Sequence, residues 1–396
     1  MSLIILFILL YVFKKKLTNI DRKIVPMFVG FIIIYVIYLL QMWNYNQNVL
    51  GWEHGIAGSD MLNFFEAANL IKDKDTYLLG WHFNSGFSGI GYNLYAYFVY
   101  IMLYLPIIIN IDVNIFITLL CQNIMVMIGI LNVFEFYSVR FENDKKSNWI
   151  IIPILLLNFC LPYTSNRLLR DNFIFFLMSY LLIVKIRVKD RIYSGVLSII
   201  IIFLLFIIRS YTIIVSVPLY ILNKNSKKSL LISILVTILL LLLPLYYYYI
   251  PLVHKGISYK GADLFEILKW ILTPNYFHQL KLIINSNSNY LDIDTLTYFL
   301  ISIWNMLFIP ISILSLFKNN IKKIDLYTLA IGIINVAIIY SIVYGGLMEP
   351  RHKVMSIINQ SILSADGFKY IYSKKIILMA YISIVILVLT IPVFVF

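Results

Sequence analysis

Charge is scarce in this chain. Lys, Arg, Asp and Glu make up 13% of its 396 residues and hydrophobic residues 61%, whereas a soluble domain carries about a quarter charged residues. With a mean hydropathy of +0.88, the composition excludes a water-soluble enzyme and a disordered chain. Cysteine is scarcer still. The two cysteines, Cys121 and Cys160, both lie inside apolar stretches, which excludes a disulfide scaffold and reads as buried thiols. The chain also lacks a Gly-rich phosphate loop, a Ser nucleophile elbow and a zinc-protease motif, so it is not expected to hydrolyse nucleotides. His54 and His82 have no close-spaced ligand partner, and neither metal nor cofactor is expected. No internal repeat or Gly/Ser linker divides the sequence, so residues 1–396 read as one transmembrane domain.

What is present is a series of apolar runs separated by short basic clusters, the pattern of an all-α, polytopic integral membrane protein. The formal net charge of +13 belongs to those clusters and not to a nucleic-acid-binding face. Six segments, at 14–23, 140–146, 185–191, 224–228, 318–323 and 369–375, hold 21 of the 32 Lys and Arg residues. The positive-inside rule puts all six in the cytoplasm. Leu3 to Phe13 lacks a preceding positive charge and is followed by Lys14-Lys15-Lys16, the reverse of a signal peptide. It reads as a first helix with its N-terminus outside. Further apolar runs lie near 24–42, 92–109, 114–137, 149–161, 172–184, 192–208, 211–222, 229–250, 295–317, 325–345, 353–365 and 376–396, and about 10–12 helices are expected to cross. Three runs between Lys23 and Arg140 break the required even parity. Either 140–146 lies outside, or one run, with the Tyr-rich 92–109 the candidate, does not cross.

This topology leaves two long extracytoplasmic segments, 43–91 and 251–294, and two tight outer corners, Pro162–Asp171 and Gly345–Lys353. All five histidines and 11 of the 19 acidic residues fall in these outer parts. Polar chemistry therefore gathers on one side of the membrane, whereas channels and transporters place it along mid-membrane paths. Asp60 to Leu79 alternates polar and apolar residues at helical spacing and is expected to lie on the outer membrane face.

Four constellations could carry chemistry. Asp60, after a Gly58-Ser59 turn, opens the amphipathic helix. It suits an N-cap, and equally a general base that takes a proton from a sugar hydroxyl. Asn166-Arg167-Leu168-Leu169-Arg170-Asp171-Asn172 puts two guanidiniums three residues apart at a helix start, where fork geometry and helix dipole suit a pyrophosphate. The alternative is interfacial snorkelling with an Arg170–Asp171 surface interaction. Gly345 to Lys353 brings Arg351, His352 and Lys353 together after Pro350, as an anion site or a polar hairpin. Arg209, with Ser210 and Tyr211, splits an apolar run of about 30 residues, where an unpaired Arg at depth costs a few kcal/mol, so it is expected to be paired or at an aqueous cavity.

An Asp in the first outer loop, an Asn166–Arg170 helix start and a late Glu349–Lys353 corner resemble the Wzy and EpsG-like polysaccharide polymerases of bacterial capsule and O-antigen loci. These are related to the GT-C class of membrane glycosyltransferases, whose first outer loop carries an acidic catalytic residue. The resemblance implies a GT-C-like fold in the bacterial cytoplasmic membrane. It implies polymerisation of undecaprenyl-diphosphate-linked oligosaccharide repeat units, with Asp60 catalytic and Arg167, Arg170, Arg351, Arg209 and His352 holding the pyrophosphate. Membrane lipid, chain-length regulators and flippases are the implied partners. The alternatives are a single-sugar GT-C transferase using a polyprenyl-phosphate donor and a lipid-linked oligosaccharide flippase.

Overall fold

The computed structural model describes residues 2–18, 24–48, 59–73, 90–105, 110–141, 149–222, 225–249, 293–317, 322–344 and 350–373. Among the described residues every regular element is a helix. In chain order these are α1 (Ser2–Leu17), α2 (Val25–Asn48), α3 (Ser59–Lys72), α4 (Ile90–Tyr104), α5 (Ile111–Arg140), α6 (Ile151–Leu156), α7 (Cys160–Ser165), α8 (Asp171–Arg187) and α9 (Arg191–Ile208). A 3-10 turn (Ser210–Thr212), α10 (Ile213–Leu222), α11 (Ser226–Tyr249), α12 (Ile293–Phe317), α13 (Lys323–Tyr344) and α14 (Pro350–Ser373) follow. The expected second outer segment, all but the last two residues of 251–294, and the expected last helix, 376–396, lie outside the described residues.

Five helices, α2, α5, α9, α12 and α13, contain stretches long and apolar enough to cross a membrane. The chain is thus polytopic, with fewer full-length spans among the described residues than the 10–12 expected. Part of the difference is at 149–161, which is not one continuous helix. Asn158 accepts the backbone N–H of Cys160 at 3.1 Å, so it ends α6 and caps α7, leaving two six-residue helices. Each is about 9 Å long, far short of a hydrocarbon core of about 30 Å. The expected short crossing at 353–365 is instead the middle of α14, which continues through Lys369 to Ser373.

The chain divides into two compact units. The first comprises residues 1–133 and 161–213. Its framework is the part of α5 up to Val133, begun by Asn110, whose side-chain oxygen accepts from the N–H groups of Asp112 and Val113 at 2.9 and 3.2 Å. α9 begins in the same way on Asp190. The hairpin α8–α9 has Lys185, Arg187, Lys189 and Arg191 at its bend, and Lys16 of α1 donates to Asn132 of α5 and lies over the Tyr180 ring of α8. The basic clusters of this unit therefore share one end.

α4 packs against α5 in antiparallel register. Asn114 of α5 donates to the Leu103 carbonyl at 3.0 Å, and Gln122 lies 2.7 Å from the Tyr95 hydroxyl. At 15 residues α4 is about 22 Å long. α5, at about 45 Å, exceeds a bilayer core by about 15 Å, and most of α4 runs beside its N-terminal portion. Within the Tyr-rich run 92–109 the described helix is thus shorter than a full-length span, whereas α2 and α5 each contain one. The apolar face of α3 does not await a lipid surface. Met61, Phe64, Ala67 and Ala68 are buried in a core with Tyr95, Val99, Leu103, Leu119 and Leu168, while Glu66 and Leu70 remain exposed.

The second unit comprises residues 134–160 and 214–396. Interhelical hydrogen bonds and small residues hold it, as in membrane helix packing generally. Ser312 and Ser364 lie 2.8 Å apart, Gln360 donates to Asn305 at 3.2 Å, and Trp304 donates to the Ile154 carbonyl at 2.9 Å. Gly367 lets α14 approach α12 so closely that a Cβ there would collide with the Ile311 carbonyl. Arg140 forms a fork on Asp325 (Nε–Oδ2 2.8 Å, Nη2–Oδ1 3.3 Å) and also donates to Ser226 Oγ at 2.8 Å. Arg140, the first residue of the 140–146 cluster, is therefore beside the start of α11 and the start of α13.

Candidate functional site

The residues from Leu161 to Asn172 form a corner in which the turn after α7 leads into α8. α8 is about 26 Å long, so the corner lies nearly a hydrocarbon thickness from Lys185 and Arg187 at the other end of that helix. Its backbone is held from α5. The carbonyls of Arg167 and Ser165 can only accept, so the Gln122 amide nitrogen faces them at 2.7 and 3.3 Å, and its oxygen accepts from Tyr95 at 2.7 Å. Asn123 donates to Asn166 Oδ1 at 2.8 Å and accepts from Ser165 Oγ at 2.7 Å. Asn172 donates to the Thr164 carbonyl at 2.8 Å. Buried polar groups satisfied in this way fix a single backbone arrangement.

Three guanidiniums belong to this corner. Arg167 is buried, donates from Nη1 to the Tyr163 hydroxyl at 2.8 Å and lies 4.1 Å from the centroid of that ring. Arg170 is half-buried and donates to the Ile208 carbonyl at 3.0 Å. That bond ties the corner to the end of α9, where Arg209 places Nη1 at 3.2 Å from Asp171 Oδ1. Arg209 is thus paired, as an arginine splitting an apolar run must be. Asp171, which the alternative reading set on the surface beside Arg170, is 1% exposed and forms an ion pair with Arg209. The corner arginines and Asp171 carry formal charges of +3 and −1, a net +2, which favours an anion.

Asp60 is the second residue of α3, and its side chain lies outside the described residues, as do those of Arg351 and His352 in the first turn of α14. The start of α3 nevertheless belongs to the same unit and the same core as the arginine corner. Met61 and Phe64 share that core with Leu168, and the Phe64 ring lies 4.6 Å from Tyr95, which in turn lies 5.6 Å from Phe173 in α8. The corner at Gly345–Glu349 is outside the described residues, and Lys353 beyond it is buried.

Sequence reasoning singled out the arginines but missed what holds them: Gln122, Asn123, Tyr95, Tyr163 and the acidic partner Asp171. The signal was available in α5, where Asn114, Gln122, Asn123 and Asn132 interrupt an otherwise apolar helix and are all buried. Among the described residues no three His, Cys, Asp or Glu side chains are grouped to share a metal ion. No family model, curated protein or solved structure matches this chain.

Proposed function

We propose that this chain is a membrane glycosyltransferase that polymerises undecaprenyl-diphosphate-linked oligosaccharide repeat units into a surface polysaccharide, working on the extracytoplasmic face of a bacterial cytoplasmic membrane. One observation carries the reading. Arg170 and Arg209 are brought to the start of α8 through the Ile208 carbonyl and Asp171, with Arg167 three residues before Arg170, a formal excess of positive charge on a core shared with the helix that Ser59 and Asp60 begin.

In the reaction a hydroxyl of an incoming lipid-linked unit attacks the anomeric carbon of the growing chain. A new C–O bond forms, the bond from the anomeric carbon to the diphosphate oxygen breaks, and the carrier diphosphate leaves with the electron pair. Asp60 takes the hydroxyl proton as general base. The arginines of the corner stabilise charge on the leaving diphosphate, where fixed donors exceed mobile water in effect. Arg170, less buried than Arg167 and Arg209, is the first guanidinium a ligand meets.

The test is in vitro polymerisation and donor binding with purified protein and its lipid-linked repeat unit. Asp60→Asn keeps shape but removes the base, so turnover should be lost with donor binding nearly intact. Arg170→Lys keeps charge but loses the fork, so binding and rate should both fall. Full activity in Asp60→Asn would return that residue to helix capping, and full donor affinity in both Arg167→Ala and Arg170→Ala would remove the diphosphate from this corner.

A further inference from the structure

One face of α9 is an uncovered apolar stripe. Ile192, Val196, Ile199 and Phe203 are all exposed, and steps of three and four residues put them on a single side of the helix. α9 is 18 residues or about 27 Å long and is one of the stretches apolar enough to cross a membrane. An exposed stripe on such a helix faces acyl chains. Arg191, the first residue of α9, therefore lies at the edge of the hydrocarbon, at the level of lipid phosphates.

Cations reach that edge from two parts of the chain. Lys185, Arg187, Lys189 and Arg191 at the α8–α9 bend are exposed, as are Lys14 and Lys15 near the end of α1. Lys16 beside them is buried, donates to Asn132 and lies 5.6 Å from the centroid of the Tyr180 ring. It thereby fixes the end of α1 against α8, about 8 Å along that helix from Lys185. The acid of the bend, Asp190, caps α9 by accepting from the N–H groups of Ile192 and Tyr193 at 2.8 and 3.0 Å. Six exposed cations and one capping carboxylate leave a formal excess of five positive charges among the described residues. Membrane orientation accounts for basic residues at this end. It does not require a buried lysine to join two clusters, nor Ile192 and Tyr193, 76% and 72% exposed, directly after Arg191.

We infer that the basic end of the first unit is a binding surface for anionic phospholipid, independent of the function proposed above. The lipid phosphates meet Lys14, Lys15, Lys189 and Arg191, while an acyl chain lies along Ile192, Val196, Ile199 and Phe203. Tyr193 suits the boundary between them, with an apolar ring and a hydroxyl that stays wet. Acyl chains are as apolar as leucine and give no preference of their own, so selectivity comes from charge. Each Lys or Arg near an anionic lipid surface strengthens binding about fivefold.

The test is native mass spectrometry of the full-length purified chain in neutral detergent, titrated with phosphatidylglycerol or phosphatidylcholine. The parent should bind phosphatidylglycerol about tenfold more tightly or better, with a preference that falls as salt is raised. The combined variant Lys14→Gln, Lys15→Gln, Lys189→Gln, Arg191→Gln should lose that preference. Asp190→Asn still caps α9 but removes the negative charge, so it should bind phosphatidylglycerol about fivefold more tightly. A variant enters the comparison once its thermal unfolding matches the parent, and the parent's lipid preference and salt series decide the matter where one does not fold. Equal binding of the two lipids by the parent overturns the inference, as does a preference that survives either high salt or the combined variant. Displacement of phosphatidylglycerol by soluble poly-glutamate would assign the surface to an acidic protein and overturn it as well.

Discussion

Replacing Asp171 with alanine leaves Arg209 buried without its carboxylate. The two side chains are 1% and 5% exposed and their charged atoms lie 3.2 Å apart. With an effective dielectric constant of 20, that separation corresponds to an attraction of about 5 kcal/mol before desolvation is counted. Removing one partner of a buried pair typically costs about 3–5 kcal/mol, because the remaining charge has lost both water and counter-ion. Asp171→Ala should therefore destabilise the protein by roughly that amount. The double variant Asp171→Ala, Arg209→Leu should recover much of the loss, since an apolar pair carries no desolvation cost. Reversible unfolding of the purified protein in detergent micelles, followed for the parent, both single variants and the double variant, gives the coupling energy directly. A coupling below about 0.5 kcal/mol, in the range of independent sites, would refute the reasoning and mean that water or another group already neutralises Arg209.

Other outcomes follow from particular contacts. Gly367→Ala places a methyl against the Ile311 carbonyl and should cost about 1–3 kcal/mol by overpacking, read from the same unfolding assay. Arg140→Lys cannot keep the fork on Asp325 together with the bond to Ser226; a loss of about 1.5–3 kcal/mol is expected for the charged hydrogen bonds it gives up. Cys121 and Cys160 are buried, so neither should react with maleimide until the protein unfolds, and rapid labelling of the native protein would contradict their burial. A cysteine at Ser286 should be labelled by an impermeant reagent on intact cells and one at Lys227 should not, with the opposite pattern inverting the topology.

The apolar helices were legible because their periodless hydrophobic runs exceed what a soluble core needs, and α2, α5, α9, α12 and α13 fall where composition puts them. The interruption at Asn158 was not, because an asparagine in an apolar run gives no sign by itself that its side chain will cap a new helix. α3 was legible as amphipathic, but which surface its apolar face meets is a tertiary fact: Leu168, about a hundred residues downstream, supplies part of that surface. The need of Arg209 for a partner could be read from its setting. Its partner could not, since Asp171 stands next to Arg170 in sequence and the choice between two arginines is decided by where α9 returns. The amides in α5 carried information of the same kind, visible as polar interruptions but without direction until the corner was folded beside them.

The Asp171–Arg209 pair also bears on how the chain enters a bilayer. Asp171 begins α8, Arg209 follows the end of α9, and the bend between them is basic. If these helices were inserted separately, each would deliver a charge through the hydrocarbon alone, at about 2.5–3.5 kcal/mol per charge on the insertion scale. Inserted as a preformed hairpin they deliver these two charges already paired, and the excess at that end is left to Arg167 and Arg170. The same contact that stiffens the arginine corner in the finished protein thus favours concerted entry of the two helices, making the hairpin the natural unit of biogenesis.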